Sequence, residues 1–174
     1  MKNLDLVPSS IPLALIETEM SGVTDRLRKV IAEVADQYDF FILDCSPSLG
    51  VATINSLAAA DYALVPVQAE LFAIIGLDHL FDTIANVRAR ANPDLQVLGI
   101  VPTMYSPRLS QDKSSLEEIN GAARGVRVYE PIPRSTIYAQ AAAGYRIPHD
   151  ADIGAPGLNT FVEIAMSLGV RRNG

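Results

Sequence analysis

Tyr38-Asp39-Phe40-Phe41-Ile42-Leu43-Asp44-Cys45-Ser46-Pro47-Ser48-Leu49-Gly50 is the stretch on which the reading of this chain turns. Phe40 to Leu43 is apolar on both faces, the pattern of a strand covered by helices on two sides. Asp44 follows at its carboxyl end, and Cys45–Gly50 has turn chemistry rather than more strand. In open parallel sheets, ligands sit beyond the carboxyl ends of the strands. A carboxylate held there suits the orientation of a hydrated Mg²⁺, which keeps most of its waters and takes one or two carboxylates. The plainer reading is an Asp that caps the next helix or simply occupies a turn. Position alone leaves both readings open.

Outward from this stretch, short apolar runs alternate with helical patterns, which predicts βαβ units. Asn3–Pro8 reads as a first short strand. Leu27, Val30, Ile31 and Val34 recur at helical spacing, so Thr24–Gln37 is expected to be an amphipathic helix capped by Thr24 or Ser21. Downstream, Ala52–Ala60 is expected as helix, Tyr62–Val67 as strand, and Gly76–Ala91 as a helix stopped by Asn92-Pro93. Gln96–Val101 reads as a fourth strand, Ser114–Ala123 as helix and Val126–Tyr129 as a short fifth strand before Pro131-Ile132-Pro133. Thr136–Ala143 and Leu158–Leu168 complete the helices. The fold class is α/β, a mostly parallel sheet flanked by helices on both faces. With no repeat or linker, residues 1–174 are expected to form a single domain.

Composition agrees with a globular core: 174 residues, 49% hydrophobic and 20% charged. One cysteine, Cys45, excludes a disulfide framework and fits a reducing cytoplasm. The apolar runs are strand-sized, so none is expected to span a membrane. The net charge of −6 argues against a dedicated nucleic-acid binder, yet it is unevenly spread. Residues 1–105 carry a net −7, whereas residues 106–150 carry six basic and five acidic side chains. That second stretch is compatible with a mixed solvated surface or a modest basic patch.

A phosphate cradle needs close glycines, a Lys for the β- and γ-phosphates and a Ser or Thr for the metal. The lysines here are Lys2, Lys29 and Lys113, and none follows a glycine-rich turn. Gly121–Gly125 has a glycine pair but no following Lys, and reads as a helix end. His79 and His149 are far apart, and with one Cys there is no zinc-ligand spacing. Ser46 and Ser48 have no adjacent His and lack a G-x-S-x-G elbow, so a hydrolase triad is not expected.

Taken in order, five motifs resemble the ParA family of DNA-partition ATPases, the deviant-Walker group that includes Soj and MinD. Tyr38–Gly50 resembles the family's Walker B strand and following switch; Asn55–Asp61 with Val65–Glu70 resembles its next helix and strand. Gly99–Arg108 contains the Thr103-Met104-Tyr105 element, Pro131–Arg134 resembles the "I-P-R" element, and Leu4–Ser9 fits an early "L-D-L-I-P-S" strand. The match covers nearly the whole chain and corresponds to the C-terminal two-thirds of such a protein. The expected fold is therefore P-loop NTPase-like and incomplete at the N-terminus, with the K-G-G-x-G-K-[ST] loop expected before Met1.

The resemblance implies roles residue by residue. Asp44 would be the catalytic carboxylate that holds Mg²⁺ through water. Thr103 and Met104 with Pro133 and Arg134 would form the adenine pocket of an ATP site. Arg108, Arg134 and Arg146 would lie on a non-specific DNA surface. Partners implied are a second copy of the chain, DNA and a ParB-like protein, in the cytoplasm on the nucleoid and with no membrane. Ser46 replaces a usual proline, Ile75 a frequent Glu, Ile137 a position often basic and Gln140 one often Glu; the last two weaken the DNA surface. Two other readings stand beside the ATP-dependent partition protein: a non-enzymatic interaction module that binds no nucleotide, and a MinD-like positioning ATPase. The ending Leu168–Gly174, with two arginines, lacks the basic amphipathic helix of the last. Without its phosphate loop this chain alone is expected to be inactive, and its exposed strand edges to need a cover.

Overall fold

The structure is a computed structural model that describes residues 4–8, 25–70, 73–144 and 155–170. It divides into two compact units: residues 1–61 with 82–95, and residues 62–81 with 96–174.

In the second unit, β1 (Tyr62–Gln68) pairs in parallel with β2 (Gln96–Thr103), from Tyr62 opposite Gln96 to Gln68 opposite Thr103, with one irregularity at Ala63/Leu64. The far edge of β2 is extended by parallel bridges between Ile100 and Val128 and between Tyr105 and Pro133. β2 therefore has a neighbour on each side, and Gly99 to Pro102 are buried. β1 is the more exposed strand, with Tyr62 46% and Leu64 40% accessible. Its Pro66 has no N–H to donate, which suits a strand bonded along one edge.

Successive residues of β2 face opposite sides, as strand geometry requires. Ile100 packs with Val65, with Leu77 and Phe81 of α3 (Ala73–Arg90), and with Ile119 and Ala123 at α4 (Ser110–Ala122). Val101 points the other way, into a cluster with Tyr129, Ile132 and Ile164 of α6 (Leu158–Ser167), joined by Tyr138 of α5 (Thr136–Ala143). Helices thus cover both faces of the parallel pair, and the expected α/β class is what forms.

Gly99 marks the closest approach in this unit. A Cβ there would meet Cδ2 of Tyr129 at 2.8 Å and Cε2 closer still. The ring has no room to move: Tyr129 is 3% exposed, Arg127 stacks over it at 4.5 Å, and its hydroxyl donates to Ser167 Oγ at 3.2 Å. Gly99→Ala is expected to cost about 1–3 kcal/mol through overpacking. A thermal melt should show a loss of several degrees, and an unchanged midpoint would refute the tight contact.

In the first unit, α1 (Arg26–Ala32) leads through a short 3₁₀ turn, Ala35–Gln37, to a segment without regular secondary structure and then α2 (Val51–Ala59). The expected helix Thr24–Gln37 is therefore shorter and broken at Glu33-Val34; Thr24 and Ser21 lie outside the described residues. Asn92 ends the α3 segment as expected, and does more. Its buried side chain donates to the carbonyls of Leu57 (3.0 Å) and Ala60 (2.7 Å), while Arg28 donates to those of Ala58 and Ala91. Carbonyls left over at the ends of α2 and α3 are satisfied together, and the cation suits the negative ends of both dipoles.

Four expectations need correction. Phe40–Leu43 forms no ladder among the described residues; it takes no regular secondary structure and is exposed up to the half-buried Leu43, with Phe40 at 53%, Phe41 at 40% and Ile42 at 90%. Its apolar pattern specifies cover on two faces, but no described strand supplies a hydrogen-bonding edge to it. Leu4–Pro8 likewise is no strand, and its link to the segment is a 2.7 Å bond from the Tyr38 hydroxyl to Asp5. Val126–Tyr129 is reduced to the bridge at Val128, since Pro131 and Pro133 remove the donors that would continue a ladder. Finally, α3 and α4 begin earlier than expected, at Ala73 and Ser110.

Candidate functional site at the carboxyl ends

Asp44 closes this segment of the first unit, and the turn behind it is held by hydroxyls. Ser46 Oγ and Ser48 Oγ lie 2.6 Å apart, the Ser48 amide donates to Ser46 Oγ at 3.3 Å, and Thr53 Oγ1 donates to the Ser48 carbonyl at 2.6 Å. Such serine turns compete with regular backbone pairing and stop the strand direction where the carboxylate stands. Asp44 is exposed and has no hydrogen-bond partner among the described residues. It does not cap α2, whose first residue is preceded by Gly50 with no side-chain cap bond. Among the described residues no three His, Cys, Asp or Glu side chains gather as a metal cage. A single free carboxylate does fit Mg²⁺ bound through its own waters, which needs no cage.

The second unit assembles the other sequence-chosen residues. At the end of β2, the Thr103 carbonyl accepts from the Ala69 amide at 3.1 Å, and Thr103 Oγ1 donates to the Val67 carbonyl at 3.4 Å. Met104 then adopts φ +54°, a left-handed conformation rare for a residue with a side chain, and stands 47% exposed. That turn lets Tyr105 pair with the returning chain: its amide donates to Ile132 O at 3.3 Å and its carbonyl accepts from the Arg134 amide at 3.0 Å. Thr103, Met104, Pro133 and Arg134 are thereby brought onto two adjoining loops. A thioether, a proline ring and a guanidinium are side chains whose apolar and cationic faces suit stacking on a planar base.

Charge is sorted as well. Arg124 pairs with Asp78 at 2.8 Å and stacks over Phe81 at 5.3 Å; Arg127 pairs with Glu163. Arg108 and Arg134 are exposed, with no acidic side chain within ion-pair distance among the described residues. Two of the basic residues in 106–150 are thus spent on the fold, and Arg108, Lys113 and Arg134 remain facing solvent. Arg146 lies outside the described residues.

One residue escaped the sequence reading. Asp112, 8% exposed in the first turn of α4, accepts the backbone N–H of Ser106 at 2.7 Å. Its signal was an acidic side chain at a helix start, hidden because the apolar periodicity of that helix starts later.

These features define an α/β protein of the P-loop NTPase-like class. A family model described as an AAA domain matches residues 1–97. The chromosome-partitioning ATPase Soj of Treponema pallidum is 34% identical over 176 residues, covering 99% of this chain and 69% of that protein. A cobyrinic acid a,c-diamide synthase structure from Mycobacterium smegmatis, with bound ATP analog and magnesium, is 34% identical with TM-score 0.66, covering 74% and 53% of the two chains. Apo McdA of Cyanothece shares the fold at TM-score 0.83 and 20% identity, over 93% of this chain and 67% of its own. The chain belongs to the ParA/Soj/MinD family of ATPases. It spans about half or less of several other curated relatives, 38% and 51% of their lengths. No described helix is long and apolar enough to cross a membrane.

Proposed function

We propose that the chain serves ParA-type partition of DNA. In this reading a nucleotide-bound dimer rides on non-specific DNA at the nucleoid and is released by a ParB-like partner. The observation that carries it is the 34% identity to Soj along the whole chain. The loop geometry supports the residue roles: Thr103, Met104, Pro133 and Arg134 flank the base, and Asp44 orients hydrated Mg²⁺, whose part is to neutralise phosphate charge. Arg108 and Arg134, without acidic partners among the described residues, face DNA phosphates. The two units act as parts of one ATPase domain. A second reading, an interaction module without nucleotide, is favoured by one fact: none of the lysines follows a glycine-rich turn.

The test is fluorescence anisotropy of the chain on a random-sequence duplex across a salt series. Each phosphate contact contributes about 0.9 to the slope of log K against log salt. Arg108→Ala and Arg134→Ala should each flatten the slope by roughly 1 and weaken binding at every duplex sequence alike. Slopes unchanged in both variants, or no binding by the parent chain, would remove these arginines from the proposal.

A further inference from the structure

We infer that Asp112 is a positioning residue: its carboxylate fixes the Ser106–Leu109 arch, so that Arg108 is presented to an anionic partner in a preset place. This rests on the reading of Arg108 as a phosphate contact. The loop between β2 and α4 is six residues, Met104 to Leu109, and it is pinned at successive points. Tyr105 is held on both sides by Ile132 and Arg134, and the Leu109 amide donates back to the Ser106 carbonyl at 3.1 Å. That last bond closes a four-residue turn with Ser first and Pro107 second, the residues such a turn favours. Pro107 has no N–H and a fixed φ, so the arch has few ways to relax.

The remaining donor at the turn's start is the Ser106 amide, and Asp112 takes it. Leu109 stands at the N-cap of α4 with an extended backbone and no side chain able to cap. The first acidic residue inside the helix reaches back across the arch instead. Burial makes the bond stronger than it would be in water, its charge assists it, and the positive helix end favours the carboxylate. Removing it would leave an amide unpaired under the arch and let the turn open. Arg108, at the third position of that turn, would then have to be ordered when it binds, and affinity falls by the ordering cost.

Hydrogen exchange and DNA binding on the same proteins test this. Asp112→Ala should speed exchange of the 104–109 amides by about 10- to 100-fold, the strength of a charge-assisted bond, with β2 unaffected. Duplex affinity should fall several-fold while the salt slope stays at the parent's value, because the number of phosphate contacts is unchanged. Asp112→Asn keeps an acceptor and should restore most of both, which a lost helix end would not allow. Unchanged exchange at 104–109, or faster exchange spread equally over β2 and α4, would overturn the assignment. Faster exchange with unaltered duplex affinity would also overturn it, by separating the arch from Arg108. If the parent chain binds no duplex, the DNA reading fails and the link to Arg108 fails with it; exchange then reports on the Asp112 bond alone.

Discussion

Titration calorimetry of the isolated 174-residue chain with Mg·ATP is expected to show no micromolar binding. Micromolar affinity is about −8 kcal/mol, and millimolar about −4. In the proposed base site, two loops carry Met104, Pro133 and Arg134, and Met104 is half-exposed. An adenine ring of about ten heavy atoms, at roughly 0.3 kcal/mol per atom, gains about 3 kcal/mol there. The rest of nucleotide affinity comes from the phosphates, through backbone amides and a Lys set close by glycines. Lys2, Lys29 and Lys113 follow no such turn. Asp44 is an exposed carboxylate and supplies no positive charge for a triphosphate. Adenosine and Mg·ATP should therefore bind alike, both at millimolar levels or weaker. A micromolar Kd for Mg·ATP would show that this chain builds a phosphate site from other groups, and would overturn the expectation that it is inactive alone.

The same contrast explains what was legible in the sequence. β2 could be read because the run Val97 to Val101 is apolar on both faces and the structure fills both, with Ile100 in one cluster and Val101 in the other. The identical reasoning applied to Phe40–Leu43 predicts a covered strand, and the structure has there an exposed segment with no ladder among the described residues. Periodicity records which faces a segment is suited to bury; it carries no information about which neighbour does the burying. Helix starts were read late for a related reason. Ser110-Gln111-Asp112-Lys113 opens α4 with polar residues, so the apolar spacing that announces a helix begins only at Leu116. The loop cluster was half legible. Thr103, Met104, Pro133 and Arg134 were chosen through motif resemblance, but their meeting depends on Met104 turning left-handed, which no spacing rule marks for a methionine. Asp112 bonding Ser106 requires knowing where the β2–α4 loop folds back.

Ile100→Ala and Ile42→Ala, two substitutions with the same chemistry in two similarly patterned runs, are expected to differ by about 2–5 kcal/mol in stability. Ile100 is 0% exposed, packed by Val65, Leu77, Phe81, Ile119 and Ala123, and its backbone bonds both ways to the neighbouring segment at Arg127 and Tyr129. Truncating it removes buried carbons and leaves a cavity that helices on one side and β1 on the other cannot close, at about 2–5 kcal/mol. Against a total of roughly 5–15 kcal/mol, that is a substantial share, about a third at the middle of both ranges. For a chain of this size each kcal/mol moves the melting midpoint by about 2–4 °C, so a drop of about 5–20 °C is expected. Ile42 is 90% exposed, so its truncation removes few contacts and should stay within about 0.5 kcal/mol. Urea melts of the two variants beside the parent decide it. If Ile42→Ala costs as much as Ile100→Ala, then in solution Phe40–Leu43 is covered after all, by a second copy or by a rearranged strand. The midpoint of that variant would then rise with protein concentration if a second copy is the cover, and stay fixed if the chain covers itself.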